Sequence, residues 1–137
     1  MMARIMAFDY GQKRVGVAAT DPLQIIATAV DTIETKLIFP FIKTYLEREQ
    51  VETFVVGYPY NDGFKENAVL PHVKKFIAQL EKAYPSIPVV KVDESFTSRM
   101  AMETMVLSGV SKKDRRKKEN LDKISATIIL QNYMETR

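Results

Sequence analysis

The sequence predicts a mixed-sheet α/β layer domain, and three observations carry that prediction. The length of 137 residues suits one domain at roughly 100–200 residues per domain, with enough chain to bury a core. The first third holds three strand-like runs separated by short turn-type connections, the pattern of an antiparallel meander. The rest alternates short β-branched runs with segments of helical apolar period, which implies parallel crossovers.

Arg4 to Asp9 reads as the first strand, because the unbroken apolar run Ile5-Met6-Ala7-Phe8 suits a central strand covered on both faces. Tyr10-Gly11-Gln12-Lys13 reads as a turn in which Gly11 takes a positive φ. Arg14 to Thr20 is the second strand, antiparallel to the first. Asp21-Pro22 ends it, and a weaker pattern from Gln24 to about Ile33 completes the meander. Ile38, Phe41, Ile42, Tyr45 and Leu46 recur at helical spacing. Pro40 fits only a first turn, so this helix is expected from about Phe39 to Gln50. Thr53 to Gly57 is a short buried strand, and Tyr58 to Gly63 a loop at its C-terminal end. A second helix begins near Leu70-Pro71 and buries Val73, Phe76, Ile77 and Leu80. Val89 to Val92 is a fifth strand running into Asp93-Glu94. A third helix, about Thr97 to Ser108, stops at Gly109. The last runs from about Asn120 to Met134, with Leu121, Ile124, Ile128, Ile129 and Tyr133 on one face. No linker or repeat divides the chain, so residues 1–137 are expected to form one domain.

The composition, 46% hydrophobic and 27% charged, excludes a disordered or fibrous chain. No stretch approaches the roughly 18 charge-free apolar residues of a membrane span. The opening MMARIMAFDY lacks the long apolar core and cleavage site of a signal peptide, so the expected location is the cytoplasm. Cysteine is absent, which excludes disulfides, zinc–thiolate sites and a cysteine nucleophile. With His72 as the single histidine, any metal must be held mainly by oxygen.

Three acids stand where chemistry is expected. Asp9 ends the first strand, Glu94 follows the fifth, and Asp122 sits in the first turn of the last helix. Sites in covered α/β sheets gather beyond the carboxyl ends of parallel strands. Asp9 and Glu94 share that edge if strands one and five run parallel. Asp122 joins them if the last helix lays its N-terminus over the same edge. Clustered carboxylates stay ionised together only beside a cation. Hard oxygen donors with open water positions suit Mg²⁺ or Mn²⁺, and two such ions form the arrangement that cleaves phosphodiesters. Each acid also has a plainer reading. Asp9 can bond the backbone near Gly11, Asp122 can be a first-turn anion favoured by the macrodipole, and Glu94 can be an exposed acid.

The net charge of +3 conceals an uneven distribution. Lys112-Lys113-Asp114-Arg115-Arg116-Lys117-Lys118 carries a net of +5, leaving −2 for the remainder. Such a run is either a solvated loop or an arm that holds phosphates through counterion release. It ends four residues before Asp122, which favours the arm. Lys13 and Arg14, near Asp9, are further candidate phosphate contacts. Thr97 and Ser98 cap a helix or meet phosphate. Tyr58 and Tyr60 stack on unpaired bases or bury their rings. Met100, Met102 and Met105 read as core filler, and His72 as structural or exposed.

The segments Asp9-Tyr10-Gly11-Gln12-Lys13-Arg14-Val15-Gly16-Val17-Ala18, Val55-Val56-Gly57-Tyr58-Pro59, Val92-Asp93-Glu94-Ser95-Phe96-Thr97-Ser98 and Leu121-Asp122-Lys123-Ile124-Ser125-Ala126 resemble, in that order, the YqgF family. These are Holliday junction resolvase-like proteins, also described as pre-16S ribosomal RNA nucleases. The resemblance spans essentially the whole chain. It implies an RNase H-like fold with strands in the spatial order 3-2-1-4-5. It also implies a nuclease that depends on Mg²⁺ or Mn²⁺, one or two ions, with Asp9, Glu94 and Asp122 as ligands. The implied substrate is structured RNA, the 5′ end of the 16S precursor, free or on a ribosomal particle.

Branched DNA is the alternative substrate, and an obligate homodimer rather than a monomer would favour it. A further alternative is a catalytically silent RNA- or ribosome-binding factor. Asp-x-Gly also occurs in actin-like and sugar-kinase-like phosphotransferases, but those close two such domains over a nucleotide. Two features depart from the family pattern. An Arg usually follows the Asp-Glu pair; Ser95 stands here, with Arg99 the nearest substitute. Relatives in the wider superfamily carry an acid at the end of the fourth strand; Gly57-Tyr58-Pro59 stands here, leaving that role to Glu94.

Overall fold

The computed structural model describes residues 3–58, 69–93 and 118–137, with side chains of the last segment described from Ile124 onward. The run Ile5 to Phe8 is wholly buried, as a strand covered on both faces requires. This strand, β1 (Arg4–Tyr10), is the centre of a five-stranded sheet ordered β3-β2-β1-β4-β5. β2 (Arg14–Thr20) and β3 (Ala27–Glu34) are antiparallel, forming the expected meander. β4 (Val51–Tyr58) and β5 (Val89–Asp93) run parallel to β1. The order is the one the resemblance implies, and the fold is RNase H-like.

Strand alternation divides the core in two. Met6, Phe8, Val15, Val17, Phe54 and Val56 share one cluster with α1 (Ile38–Arg48) and α2 (Leu70–Ala83). From α2 come Val73, Phe76, Ile77 and Leu80, the four positions its period predicts. On the other face, Ile5, Ala7, Ala18 and Val55 meet Ala126, Ile129 and Leu130 of α3 (Lys118–Thr136). α3 also buries Ser125 and Ile128, a broader face than the expected stripe, because it lies across the whole width of the sheet. Among the described residues no helix is long and apolar enough to cross a membrane.

Several boundaries differ from expectation for identifiable reasons. β3 starts at Ala27, not Gln24, because Asp21 gathers the preceding residues into a turn. Its carboxylate accepts the amides of Leu23 at 3.1 Å, Ile25 at 2.8 Å and Ile26 at 2.7 Å. These amides hold the Asp21 carboxyl below its ordinary range. α1 ends at Arg48 because Glu49 is already extended, and β4 accordingly begins at Val51. Gly11 is needed for a close approach, not for a positive φ: a Cβ there would sit 2.6 Å from the carbonyl oxygen of Arg14. The helix expected at Thr97 to Ser108 lies outside the described residues.

The start of β1 is tied by a buried side chain. Thr20 Oγ1 accepts the amide of Ile5 at 2.9 Å. Thr20→Val preserves shape but leaves that amide unsatisfied, with an expected cost of about 1–3 kcal/mol. Urea denaturation checks this, with Thr20→Ser as the variant that retains the acceptor. Equal stability of the valine and wild-type proteins would contradict it.

Candidate functional site

Asp9 stands one residue before the C-terminal end of β1 and is half-buried. By alternation it shares the face of Ile5 and Ala7, the face that α3 covers. Its antiparallel neighbour on β2 is Gly16, whose neighbour on β3 is Thr32. Continuing the β1–β4 register beyond Phe8 and Val56 sets Asp9 level with Gly57, which faces Val92 of β5. Glycine therefore flanks Asp9 on both adjoining strands, and neither flanking position carries a side chain. Glycine inside a strand accompanies close backbone or ligand approach. Glycines interrupting two otherwise β-branched runs are the sequence signal for this feature, which was not among the expected site residues.

Beside this row lies a cleft of about 350 Å³ lined by Lys13, Arg14, Thr32 and Glu34. Arg14 and Glu34 are direct neighbours across β2 and β3. The hairpin carrying Lys13 is fastened from β3's far end. The Thr35 hydroxyl donates to the Gly11 carbonyl at 2.6 Å, and its amide to the Lys13 carbonyl at 2.9 Å. Lys13 thus sits on a fixed connection and Arg14 at the start of β2, two residues before Gly16, the neighbour of Asp9. Thr32 was not foreseen as a member of this wall.

The direction of α3 follows from its C-terminal tether. Arg137 donates to the Gln24 side chain and carbonyl, and Gln24 donates to the carbonyl of Ala3. The end of α3 therefore lies at the start of β1. From Arg137 back to Asp122 is about 22 Å of helix. From Ala3 to Asp9 is about 20 Å of extended chain. The helix is thus long enough to reach from the start of β1 to the edge where Asp9 stands. Asp122 is the fifth residue of α3, not part of the first turn, because Lys118, Glu119 and Asn120 extend the helix upstream.

Asp93 is aligned with Tyr58 and Lys91 with Val56, which assigns both to the α1/α2 face, opposite Asp9. The Tyr58 ring packs on that core, with the Lys91 ammonium 4.9 Å from its centroid. Ring burial, rather than base stacking, is the reading Tyr58 satisfies. His72 is exposed on α2. Tyr60, Glu94, Thr97, Ser98, Arg99, Lys112, Lys113, Arg115, Arg116 and Lys117 lie outside the described residues, as do the side chains of Asp122 and Lys118. Among the described residues no three acids or histidines form a metal-sized group.

Comparison with known proteins agrees along the whole chain. A family model described as "RuvX: Holliday junction resolvase" matches residues 3–136. A protein of Amoebophilus asiaticus named "Putative pre-16S rRNA nuclease" is 47% identical over 135 residues, covering 98% of this chain and 96% of that one. A protein of the same name from Phocaeicola vulgatus is 48% identical over 136 residues, covering 99% and 98%. Among solved structures, Thermus thermophilus RuvC in complex with a Holliday junction substrate superposes with a TM-score of 0.58. The identity is 16%, over 98% of this chain and 97% of that one, a likeness of fold. With the family match running from residue 3 to residue 136, the chain belongs to the RuvX family of Holliday junction resolvases, the family its motifs resemble.

Proposed function

We propose that this protein is a divalent-metal-dependent nuclease that hydrolyses phosphodiester bonds in structured RNA, trimming the 5′ end of the 16S ribosomal RNA precursor in the cytoplasm. The observation that carries the reading is Asp9. It is a hard oxygen donor at the carboxyl end of the central strand, with a glycine level with it on each adjoining strand. The names of relatives 47–48% identical over nearly their whole length support the RNA substrate.

An all-oxygen donor set of Asp9, Glu94 and Asp122 fits Mg²⁺ or Mn²⁺. Such ions, one or two, supply an activated water and offset charge on the leaving oxygen. Glu94 is preferred over Asp93 because Asp93 belongs to the far face of β5. The helical repeat sets position 122 in line with Ala126, Ile129 and Tyr133, which pack on the sheet. Lys13 and Arg14 hold the phosphate backbone beside Asp9, and Gly16 and Gly57 leave room for it. Thr97, Ser98 and Arg99 follow Glu94 closely and are further phosphate contacts. The basic segment Lys112 to Lys118 leads into the N-terminus of α3, so it meets the polyanion at the same edge.

The test is cleavage of a 16S precursor fragment and of a four-way DNA junction, each with Mg²⁺, with Mn²⁺ and with EDTA. RNA cleavage that requires metal is expected. Cleavage of the junction alone would move the substrate to branched DNA, and tight RNA binding without cleavage would replace the enzyme by a binding factor. A separate prediction concerns the arm. Neutralising Lys112, Lys113, Arg115, Arg116, Lys117 and Lys118 is expected to flatten the salt dependence of RNA binding. The log–log slope should fall by about 0.7–0.9 for each phosphate that the arm no longer neutralises. An unchanged slope would mean that the arm is merely solvated.

A further inference from the structure

The end of the molecule opposite Asp9 carries three large aliphatic side chains in water: Leu23 at 58% exposure, Ile25 at 66% and Ile26 at 62%. They stand on a loop that is held with unusual thoroughness. Asp21 accepts three of its amides through the carboxylate, and the Gln24 amide through its carbonyl at 2.9 Å. Gln24 adopts φ 58, a left-handed conformation disfavoured for a residue with a side chain. Its side chain bonds Ala3, Glu52 and Arg137. Those polar bonds keep apolar groups out in solvent in one fixed shape. Below the ridge, an open groove of about 600 Å³ has Ile25, Ile26, Ala27 and Met134 along it, with Gln24, Gln131, Glu135 and Arg137 at its side, the Arg137 guanidinium being bound to Gln24.

We propose that this ridge and groove dock a basic amphipathic helix of a partner protein. Fixing the ridge in advance removes the ordering cost of binding. The surrounding charge selects the partner. Asp21, Glu49, Glu52 and Glu135 stand at this end against Arg4 and Arg137, a local net of −2. An acidic rim repels nucleic acid and anionic lipid and attracts Lys and Arg.

The area argues against a second copy. Three such side chains present on the order of 300 Å² of apolar surface, against roughly 800 Å² per partner in a standard stable interface. A helix laid in a groove needs less, anchored by apolar residues at i, i+3, i+4 and i+7. Strand addition at the adjoining edge is also disfavoured. β3 carries a register shift at Val30, and the Asp31 carboxylate accepts the amide of Thr32 at 2.7 Å. The inference is independent of the nuclease reading.

The test uses the full chain, ¹⁵N-labelled, titrated with a leucine–lysine amphipathic peptide of about 18 residues, five helical turns. Saturable micromolar binding is expected, with amide shifts confined to residues 21–27 and 131–137. Ile25→Asp and Ile26→Asp, both at exposed positions, should each weaken binding about tenfold or more. Glu135→Lys should weaken it several-fold, and the same peptide with Glu for Lys should not bind. Absence of binding, shifts centred elsewhere, or equal binding of the acidic peptide would overturn the proposal. So would sedimentation of the wild-type chain as a dimer that Ile25→Asp converts to monomer, because the ridge would then belong to a second copy.

Discussion

Asp9→Asn is expected to lower the metal-dependent cleavage rate at least about a thousandfold while leaving the melting temperature unchanged. The substitution keeps size and shape and removes one negative charge from the proposed donor set. A thousandfold loss corresponds to about 4 kcal/mol of transition-state stabilisation, at 1.36 kcal/mol per factor of ten. That is the scale lost when one preorganised electrostatic partner is removed from a reacting centre. Stability should not follow, because Asp9 is half-buried at a strand end while the adjacent core is made by Ile5 and Ala7. Initial rates of both proteins at fixed Mg²⁺, with thermal unfolding alongside, measure the two quantities. Cleavage that survives unchanged would remove Asp9 from the chemistry and point to a contaminating nuclease.

The second large effect is on stability. Phe76 of α2 lies at the centre of an aromatic cluster, 5.4 Å from Phe8 edge-on, 4.8 Å from Tyr10 in a stack and 5.7 Å from Phe39. Phe76→Ala removes the ring that all three lean on and opens a cavity between α2 and β1, with an expected cost of about 3–5 kcal/mol. For a chain of this size the melting temperature should fall by roughly 10–20 °C. Phe76→Leu, which keeps most of the volume, should lose much less. The effect should also reach the site, because Tyr10 is the residue after Asp9 and its ring is stacked on Phe76. Activity per folded molecule should therefore drop in Phe76→Ala more than in Thr20→Val, whose defect lies at the other end of β1. Similar losses in both would reject that local coupling.

Much of the fold was legible because apolar period is a strong signal where one face is buried. The four residues by which α2 enters the core, and the buried run of β1, follow from pattern alone. Boundaries were less legible because they are set by individual hydrogen bonds. Nothing in the pattern says that Asp21 gathers three amides and delays β3, or that Gly11 is crowded by the Arg14 carbonyl. In the candidate site, the position of Asp9 near the end of β1 was legible from the apolar run before it. Its glycine neighbours are visible as interruptions of two strand runs, but only the register shows that Gly16 and Gly57 come level with Asp9. The face on which Asp93 falls was likewise not legible, because only its alignment with Tyr58 assigns it to the side of α1 and α2. The docking of the C-terminal end of α3 at the start of β1 depends on a tether from Arg137 through Gln24 to Ala3, whose first two members stand 113 residues apart in sequence.

That closing helix bears on how the protein comes into being. The meander of β1, β2 and β3 is built from local pairings and can form as soon as it is synthesised. The face of Ile5, Ala7, Ala18 and Val55, by contrast, has its cover in Ala126, Ile129 and Leu130, at least 71 residues further along the sequence than Val55. Until those residues are made, the nascent chain carries an open apolar face on one side of the sheet. A chain stopped before α3 is therefore expected to be prone to aggregate. Closing this face of the sheet is thus a long-range step of folding, separate from the local pairing of the meander.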